Sequence, residues 1–178
     1  MKFCSILSGG FEESEFTIVY DIFHRAGIQT DVYSLDAPDT VSSHGLHYGN
    51  FKPLAGLDPE EYDLLYIPGG KANVDHLKQS EKVSELVRLF AQQKKIAAIC
   101  AAPSVLGELG LLKNRKYTCY PGFQKHEYEG TRVDVYCVKD GNLYTGRSMA
   151  ASLEFALMIV KDLLGDGTAG NVKDTIVY

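Results

Sequence analysis

Apolar and polar positions along the chain switch repeatedly between the period of a strand and that of a helix. Lys2 to Leu7 is an apolar, β-prone run that stops at Ser8-Gly9-Gly10. Glu12 to Ala26 then sets Phe16, Val19, Tyr20 and Phe23 on one helical face, and Gly27 supplies the stop. Ile28 to Leu35 alternates and predicts a second strand, whereas the polar stretch from Asp36 to Pro59 reads as irregular, with room for a small hairpin. Asp63 to Ile67 predicts a buried strand closed by Pro68-Gly69-Gly70. Val83, Leu86, Val87 and Phe90 predict a helix over Glu81 to Gln93, and Ile96 to Cys100 is another short, wholly apolar run. A helix is predicted from Pro103 through Leu109, with Gly110 at its end. Tyr117 to Tyr120, Val133 to Val138 and Leu143 to Thr145 read as strands, the last two joined by a turn at Lys139 to Asn142. Ser152 to Leu164 is a final helix ended by Gly165.

Strands that are apolar on both faces, alternating with amphipathic helices, are what a parallel sheet covered on both sides requires. The fold class predicted is therefore α/β, a doubly wound sandwich around a mostly parallel sheet. At 178 residues, without repeats, linkers or low-complexity segments, the chain is expected to form one domain over 1–178. Ligands of such sheets bind beyond the carboxyl ends of the strands. Three loops therefore become candidates for chemistry: Ser8 to Glu15, Pro68 to Lys71 and Cys100 to Pro103.

Composition narrows the partners. Hydrophobic residues at 45% and charged ones at 23% are ordinary for a globular protein and argue against disordered, fibrous and membrane classes. Eighteen basic against twenty-three acidic residues give a net charge of −5, and the only basic run is Lys113-Asn114-Arg115-Lys116, so neither nucleic acid nor an anionic membrane is an expected partner. The four cysteines, Cys4, Cys100, Cys119 and Cys137, form no C-x-x-C pair and lie in apolar stretches, a pattern of reduced thiols. Together with an N-terminus too short in apolar residues for a signal peptide, this predicts a cytoplasmic location. His44 and His47 would face opposite sides of a strand, and His24, His76 and His126 fit surface positions, so no metal site is predicted. There is no G-x-G-x-x-G, and Gly70-Lys71 lacks the Walker spacing, so no nucleotide cofactor is predicted either.

Cys100 ends a strand and begins a helix, with Ala98, Ala101 and Ala102 around it, the small-residue setting of a nucleophile elbow. Free backbone N–H groups and the helix dipole at such a turn predict a thiol pKa below its usual value of about 8.5. Cys4 and Cys137 read instead as inert core thiols. Glu12, Glu13 and Glu15 open the first helix; two are expected merely to complement its dipole, and one to face Cys100 as a general acid or base. The spacing does not select which. Gly69-Gly70 leaves backbone N–H groups free to polarise a substrate oxygen.

The segments Gly9-Gly10-Phe11-Glu12-Glu13-Ser14-Glu15, Pro68-Gly69-Gly70, Ala97-Ala98-Ile99-Cys100-Ala101-Ala102-Pro103 and Ser152-Leu153-Glu154-Phe155-Ala156 occur in that order. In this the chain resembles the DJ-1/PfpI (ThiJ) family over essentially its whole length, and Arg25-Ala26-Gly27-Ile28 brings it closest to the DJ-1-like branch. The resemblance implies a flavodoxin-like fold, a homodimer, no cofactor, and a site of Cys100 and Glu15 with the Gly70 and Ala101 backbone amides facing the sulfur. It implies activity on small α-oxoaldehydes or glycated substrates, of glyoxalase or deglycase type; the alternative is a redox-responsive stress protein or chaperone whose cysteine is oxidised to a sulfinate. The peptidase branch has His after the nucleophile, where this chain has Ala101, so a Cys-His dyad cannot form there. Tyr120 takes the place of a histidine found near the cysteine in the DJ-1 branch and is its candidate catalytic substitute. His44 stands where that branch has an arginine of an interface anion site, and Arg25 matches the companion.

Overall fold

The computed structural model describes Met1 to Tyr178. The chain runs through β1 (Lys2–Leu7), α1 (Glu13–Arg25), β2 (Gln29–Ser34), β3 (Thr40–Val41), β4 (His47–Tyr48), β5 (Lys52–Pro53), β6 (Leu64–Ile67), α2 (Lys71–Lys78), α3 (Glu81–Gln93), β7 (Lys95–Ile99) and α4 (Pro103–Glu108). It continues through β8 (Lys116–Tyr117), β9 (Thr131–Arg132), β10 (Cys137–Asp140), β11 (Leu143–Gly146) and α5 (Ser152–Ile176). Seven strands form one sheet in the order β10-β11-β7-β6-β1-β2-β5, parallel except where β10 meets β11.

Alternation along each central strand feeds two cores. Cys4, Ile6, Leu65, Ile67, Ile96 and Ala98 join Val83, Leu86, Val87 and Phe90 of α3 on one face. Phe3, Leu64, Tyr66, Ala97 and Ile99 join Val19, Ile22 and Phe23 of α1 and Phe155, Ile159 and Val160 of α5 on the other. Complete burial of each large apolar side chain stabilises the fold by about 1.5–3 kcal/mol, which explains why the uninterrupted apolar runs become central strands. The result is the mostly parallel, doubly wound α/β sandwich that the pattern predicts, in the flavodoxin-like form that the resemblance implies. No helix is long and apolar enough to cross a membrane.

The chain adds β2 and β5 on one side of β1 and then returns to place β6, β7 and β11 on the other. The order therefore reverses between β1 and β6, and the crevice at their carboxyl ends is where such sheets bind ligands. The first turn of α1, which carries Glu15, and the segments that carry Gly69-Gly70 and Cys100 all follow strands that end here.

Several stretches differ from the pattern reading. Lys71–Lys78 forms α2, too short to show a period: only Asn73, Val74 and Leu77 are buried in it. The polar segment holds the hairpin of β3 with β4 and also the edge strand β5. The strand predicted over Tyr117 to Tyr120 shrinks to β8, which pairs with β9, and that predicted over Val133 to Val138 starts only at Cys137. Val135 and Tyr136 are exposed, so the apolar residues there belong to a surface loop. Cys137, predicted to be core, is half-buried at the edge of the sheet, whereas Cys4 and Cys119 are buried.

Gly165 breaks α5 at φ 87°, but the chain then turns helical again as far as Ile176. Gly167 and Gly170 make this last segment a weak helix former. Tertiary burial of Ala169 and Val172 holds it in place. Val172→Ala should accordingly lower stability by about 2 kcal/mol in chemical denaturation, while the exposed Asn171→Ala should change it little.

Candidate active site

Cys100 is the first residue beyond β7, and its backbone is held from two sides. Its N–H donates to the Gly146 carbonyl at 2.9 Å, and its carbonyl accepts the Tyr120 N–H at 2.8 Å. These contacts keep it at φ 64°, in the left-handed region that costs a non-glycine residue about 1 kcal/mol or more. The conformation turns the chain from strand to α4 within a few residues. Small, buried Ala98, Ala101 and Ala102 leave room for that turn.

The loop after β6 closes over the same point. The Gly69 N–H donates to Glu15 Oε2 at 2.8 Å. A Cβ on Gly69 would overlap Glu15 Oε2 and come within 2.7 Å of Cys100 Cβ, so only glycine fits between the acid and the thiol. Gly70, at φ 90°, abuts the Gly10 carbonyl and the Glu12 N–H. Asn73 fixes this loop to the end of β1: its Oδ1 accepts the Ser8 N–H at 2.7 Å, and its Nδ2 donates to the Pro68 and Gly69 carbonyls at 2.9 and 3.0 Å. Neither Asn73 nor the Tyr66 hydroxyl, which donates to the Glu15 carbonyl at 2.9 Å, stood out in the sequence. A lone Asn in an unrecognised helix and a Tyr in a buried strand carry no pattern of their own.

The three glutamates have different partners. Glu12 caps α1 by accepting the Glu15 N–H at 2.6 Å. Glu13 accepts from the Ser43 hydroxyl at 2.9 Å and meets His44 Nδ1 at 2.9 Å. Glu15 is fully buried, its Oε1 has no hydrogen-bond partner, and its carboxyl lies against the Cys100 thiol. Burial pushes the Glu15 carboxyl up to about 7, against the pull of the thiol and the Gly69 N–H. Burial, followed by the Glu15 charge, also drives the Cys100 thiol upward, although the Ala101 and Gly70 N–H groups point at the sulfur and pull it down. The low thiol pKa predicted from the elbow is thereby corrected: α4 begins only at Pro103, and desolvation beside an acid outweighs two amides. Burial thus favours the neutral acid beside the neutral thiol, and the acid is the first of the two to give up its proton as pH rises.

Tyr120 reaches the site through its backbone. Its ring is exposed and meets Phe123 edge-on at 6.3 Å between centroids. Arg25 pairs with Asp21 on its own helix. Helical rise puts it about 18 Å along α1 from Glu13, the partner of His44. Arg25 and His44 therefore do not converge within one chain. Glu12, Glu13 and His44 are the one group with ligand atoms close enough together for a metal, within 4.8 Å of one another. Their polar atoms are already engaged with the Glu15 N–H, Ser43 and each other.

Two outcomes test this geometry. Because the folded state raises the Glu15 pKa from 4.5 to about 7, its ionisation destabilises the fold as pH rises through that window. Glu15→Gln should raise stability at pH 8 by roughly 3 kcal/mol, with the gain vanishing towards pH 4.5, as read by denaturation across pH. Asn73→Ala removes three buried hydrogen bonds and should cost about 3 kcal/mol in the same measurement.

The chain is 35% identical to protein dj-1beta of Drosophila melanogaster over 166 residues, 90% of this chain and 88% of the relative. The crystal structure of Drosophila DJ-1beta superposes with a TM-score of 0.90, covering 99% of this chain and 97% of that one at 32% identity. Oxidised DJ-1 of Toxoplasma gondii superposes with a TM-score of 0.91 at 27% identity, covering 99% and 98% of the two chains. A deglycase of Pyrococcus horikoshii is 29% identical over 150 residues, 83% of this chain and 90% of the relative. With the family model matching residues 1–162, this chain belongs to the DJ-1/PfpI family.

Proposed function

We propose that the protein is a cofactor-independent cysteine enzyme acting on small α-oxoaldehydes or their glycated adducts. The observation that carries this reading is the buried Glu15 carboxyl, its Oε1 unpartnered, set against a thiol that two backbone amides also face. The naming of the Pyrococcus relative as a deglycase supports it.

The Cys100 sulfur adds to the aldehyde carbon, forming a C–S bond while the thiol proton passes to the Glu15 carboxylate and on to the new oxygen. Glu15, again a carboxylate, takes the proton from that carbon and passes it to the neighbouring carbonyl oxygen, giving an enediol; it then takes the hydroxyl proton of the first carbon and delivers it to the second carbon. The first carbon is oxidised to a thioester and the second is reduced to an alcohol. Water then cleaves the thioester, releasing a 2-hydroxy acid and restoring the thiol. The Gly70 and Ala101 N–H groups stabilise the negative oxygen as it develops. Tyr120 enters this sequence through its N–H, which fixes the Cys100 carbonyl, while its ring is half exposed.

Methylglyoxal consumption with release of lactate is the test. Cys100→Ser should abolish it, and Glu15→Gln should reduce it by about 100-fold or more. In the wild type, kcat/KM should rise with pH through about 7, the first ionisation of the pair. Equal turnover in wild type and Cys100→Ser overturns the reading.

A second reading shares the site. An acid and two amides around one sulfur also suit a sulfinate, and the oxidised state of the Toxoplasma relative supports this. Mild peroxide should then add two oxygens at Cys100 before any other cysteine, as followed by peptide mapping; oxidation spread evenly over the four thiols contradicts it.

The reading extends to association of two copies. Arg25, at the C-terminal end of α1, and His44, held by Glu13 at its N-terminal end, would share an anion only across such an interface. The aromatic cleft between Phe16 and Tyr20 of α1 and Tyr48 and Phe51 beside them, about 490 Å³ in volume, offers apolar surface for it. Light scattering should return twice the chain mass. The four free thiols fit a reducing, cytoplasmic location.

A further inference from the structure

One side chain holds two successive carbonyls of the glycine turn. Asn73, fully buried in the first turn of α2, donates from Nδ2 to the Pro68 carbonyl at 2.9 Å and to the Gly69 carbonyl at 3.0 Å. A side-chain amide has two donor hydrogens, and both are used here. In a trans peptide unit the C=O and the N–H that follows it point in opposite directions within one plane. The Pro68 carbonyl shares its unit with the Gly69 N–H, which donates to Glu15 Oε2 at 2.8 Å. The Gly69 carbonyl shares its unit with the Gly70 N–H, which faces the Cys100 sulfur. Drawing both carbonyls towards α2 therefore turns the two N–H groups the other way, one to the acid and one to the thiol.

Gly69 and Gly70 have no side chains to set that direction themselves, and Gly70 sits at φ 90°. A flip of the unit between them would present a carbonyl oxygen to the sulfur in place of a donor. The Glu12 N–H also donates to the Gly69 carbonyl, at 3.2 Å, but Asn73 is the one side chain bonded to both carbonyls. Asn73 is itself held from behind. Its Oδ1 accepts the Ser8 N–H at 2.7 Å, which fixes the end of the amide that faces the turn. The Ser8 hydroxyl donates to Asp36 Oδ2 at 2.6 Å and meets Nδ1 of His76, one turn after Asn73 on α2, at 2.9 Å. The Gly9 N–H adds a bond to the same Asp36 oxygen at 3.0 Å. The end of β1 and the first turns of α2 are thus fastened at several points.

We infer that Asn73 is a positioning residue for the reaction at Cys100, aiming the Gly69 N–H at Glu15 and the Gly70 N–H at the sulfur through the two carbonyls it holds. The role rests on the reading of Cys100 and Glu15 as the reacting pair and adds the group that orients their donors. Negative charge on the acid, or developing at the sulfur, then meets an N–H already in place, with no reorganisation at the moment of reaction.

NMR of the Gly69 amide across pH tests this without turnover. In the wild type its proton signal should shift as Glu15 ionises near 7, because it donates to that carboxyl. In Asn73→Ala the amplitude of that shift should fall by about half or more, since a hydrogen bond weakens steeply once it leaves line. With methylglyoxal, kcat should fall about 100-fold, the cost of losing one aligned oxyanion donor, while KM changes little. Val74→Ala, on the same helix but buried in the sheet core, should lower stability and leave both readouts as in the wild type. A Gly69 response that Asn73→Ala leaves intact overturns the role, as does an equal loss in Val74→Ala, which would make Asn73 merely structural. A wild type that does not turn over methylglyoxal, but whose Gly69 response is lost in Asn73→Ala, sustains the positioning and rejects the glyoxalase chemistry alone. If Asn73→Ala does not fold, Asn73→Ser, which keeps an acceptor for the Ser8 N–H but has a single donor hydrogen, is read by the same criteria.

Discussion

The arrangement at the end of the sheet depends on how closely the backbone of Gly69 can approach two side chains. With a hydrogen atom where other residues carry Cβ, it lets the Glu15 carboxyl and the Cys100 side chain meet across the end of β6. Any larger residue would drive them apart. The rest of the site is scaffolding for that approach. Asn73 ties the glycine turn to β1, Gly146 and Tyr120 grip the Cys100 backbone from both sides, and Tyr66 holds the Glu15 carbonyl from beneath. Each such hydrogen bond contributes on the order of 1 kcal/mol, enough together to offset the strain of a non-glycine residue at positive φ.

The chemistry follows from where the charge is costly. Placed in water, a glutamate and a thiol would titrate apart and ignore each other. Buried side by side, both are pushed towards their neutral forms, and the acid is brought to a pKa near neutrality. Two amides aimed at the sulfur lower the cost of a negative atom there without supplying a permanent charge. This is a poor environment for a resting thiolate and a good one for a thiol that loses its proton only as it attacks, because the acceptor is already in contact.

Much of this was legible from one sequence. The central strands and α1, α3 and the first part of α5 carry strong periodic signals because they bury whole faces, and the physics that makes Ile96 to Ile99 a strand is visible in its composition. The site could be placed at three loops because parallel sheets present their carboxyl ends to ligands. What stayed hidden depends on tertiary context. Nothing local marks Lys71–Lys78 as a helix, since its cap is a glycine and its buried residues are few. The last turns of α5 overcome two glycines only by packing Val172 against the core. The Cys100 shift runs opposite to the expectation from the elbow because a sequence shows the turn and the amides, but not the depth of burial or the position of an acid from the start of α1. For the same reason it could not choose among Glu12, Glu13 and Glu15, whose fates are set by Ser43, His44 and Gly69.

The central claim is that burial beside Cys100 gives Glu15 the pKa of a group that can both take and return a proton at neutral pH. Carbon-detected NMR of the side-chain carboxyl of Glu15, followed across pH, measures it directly. A midpoint near 7 agrees with this account, and a midpoint at the ordinary carboxylate value of 4.5 contradicts it.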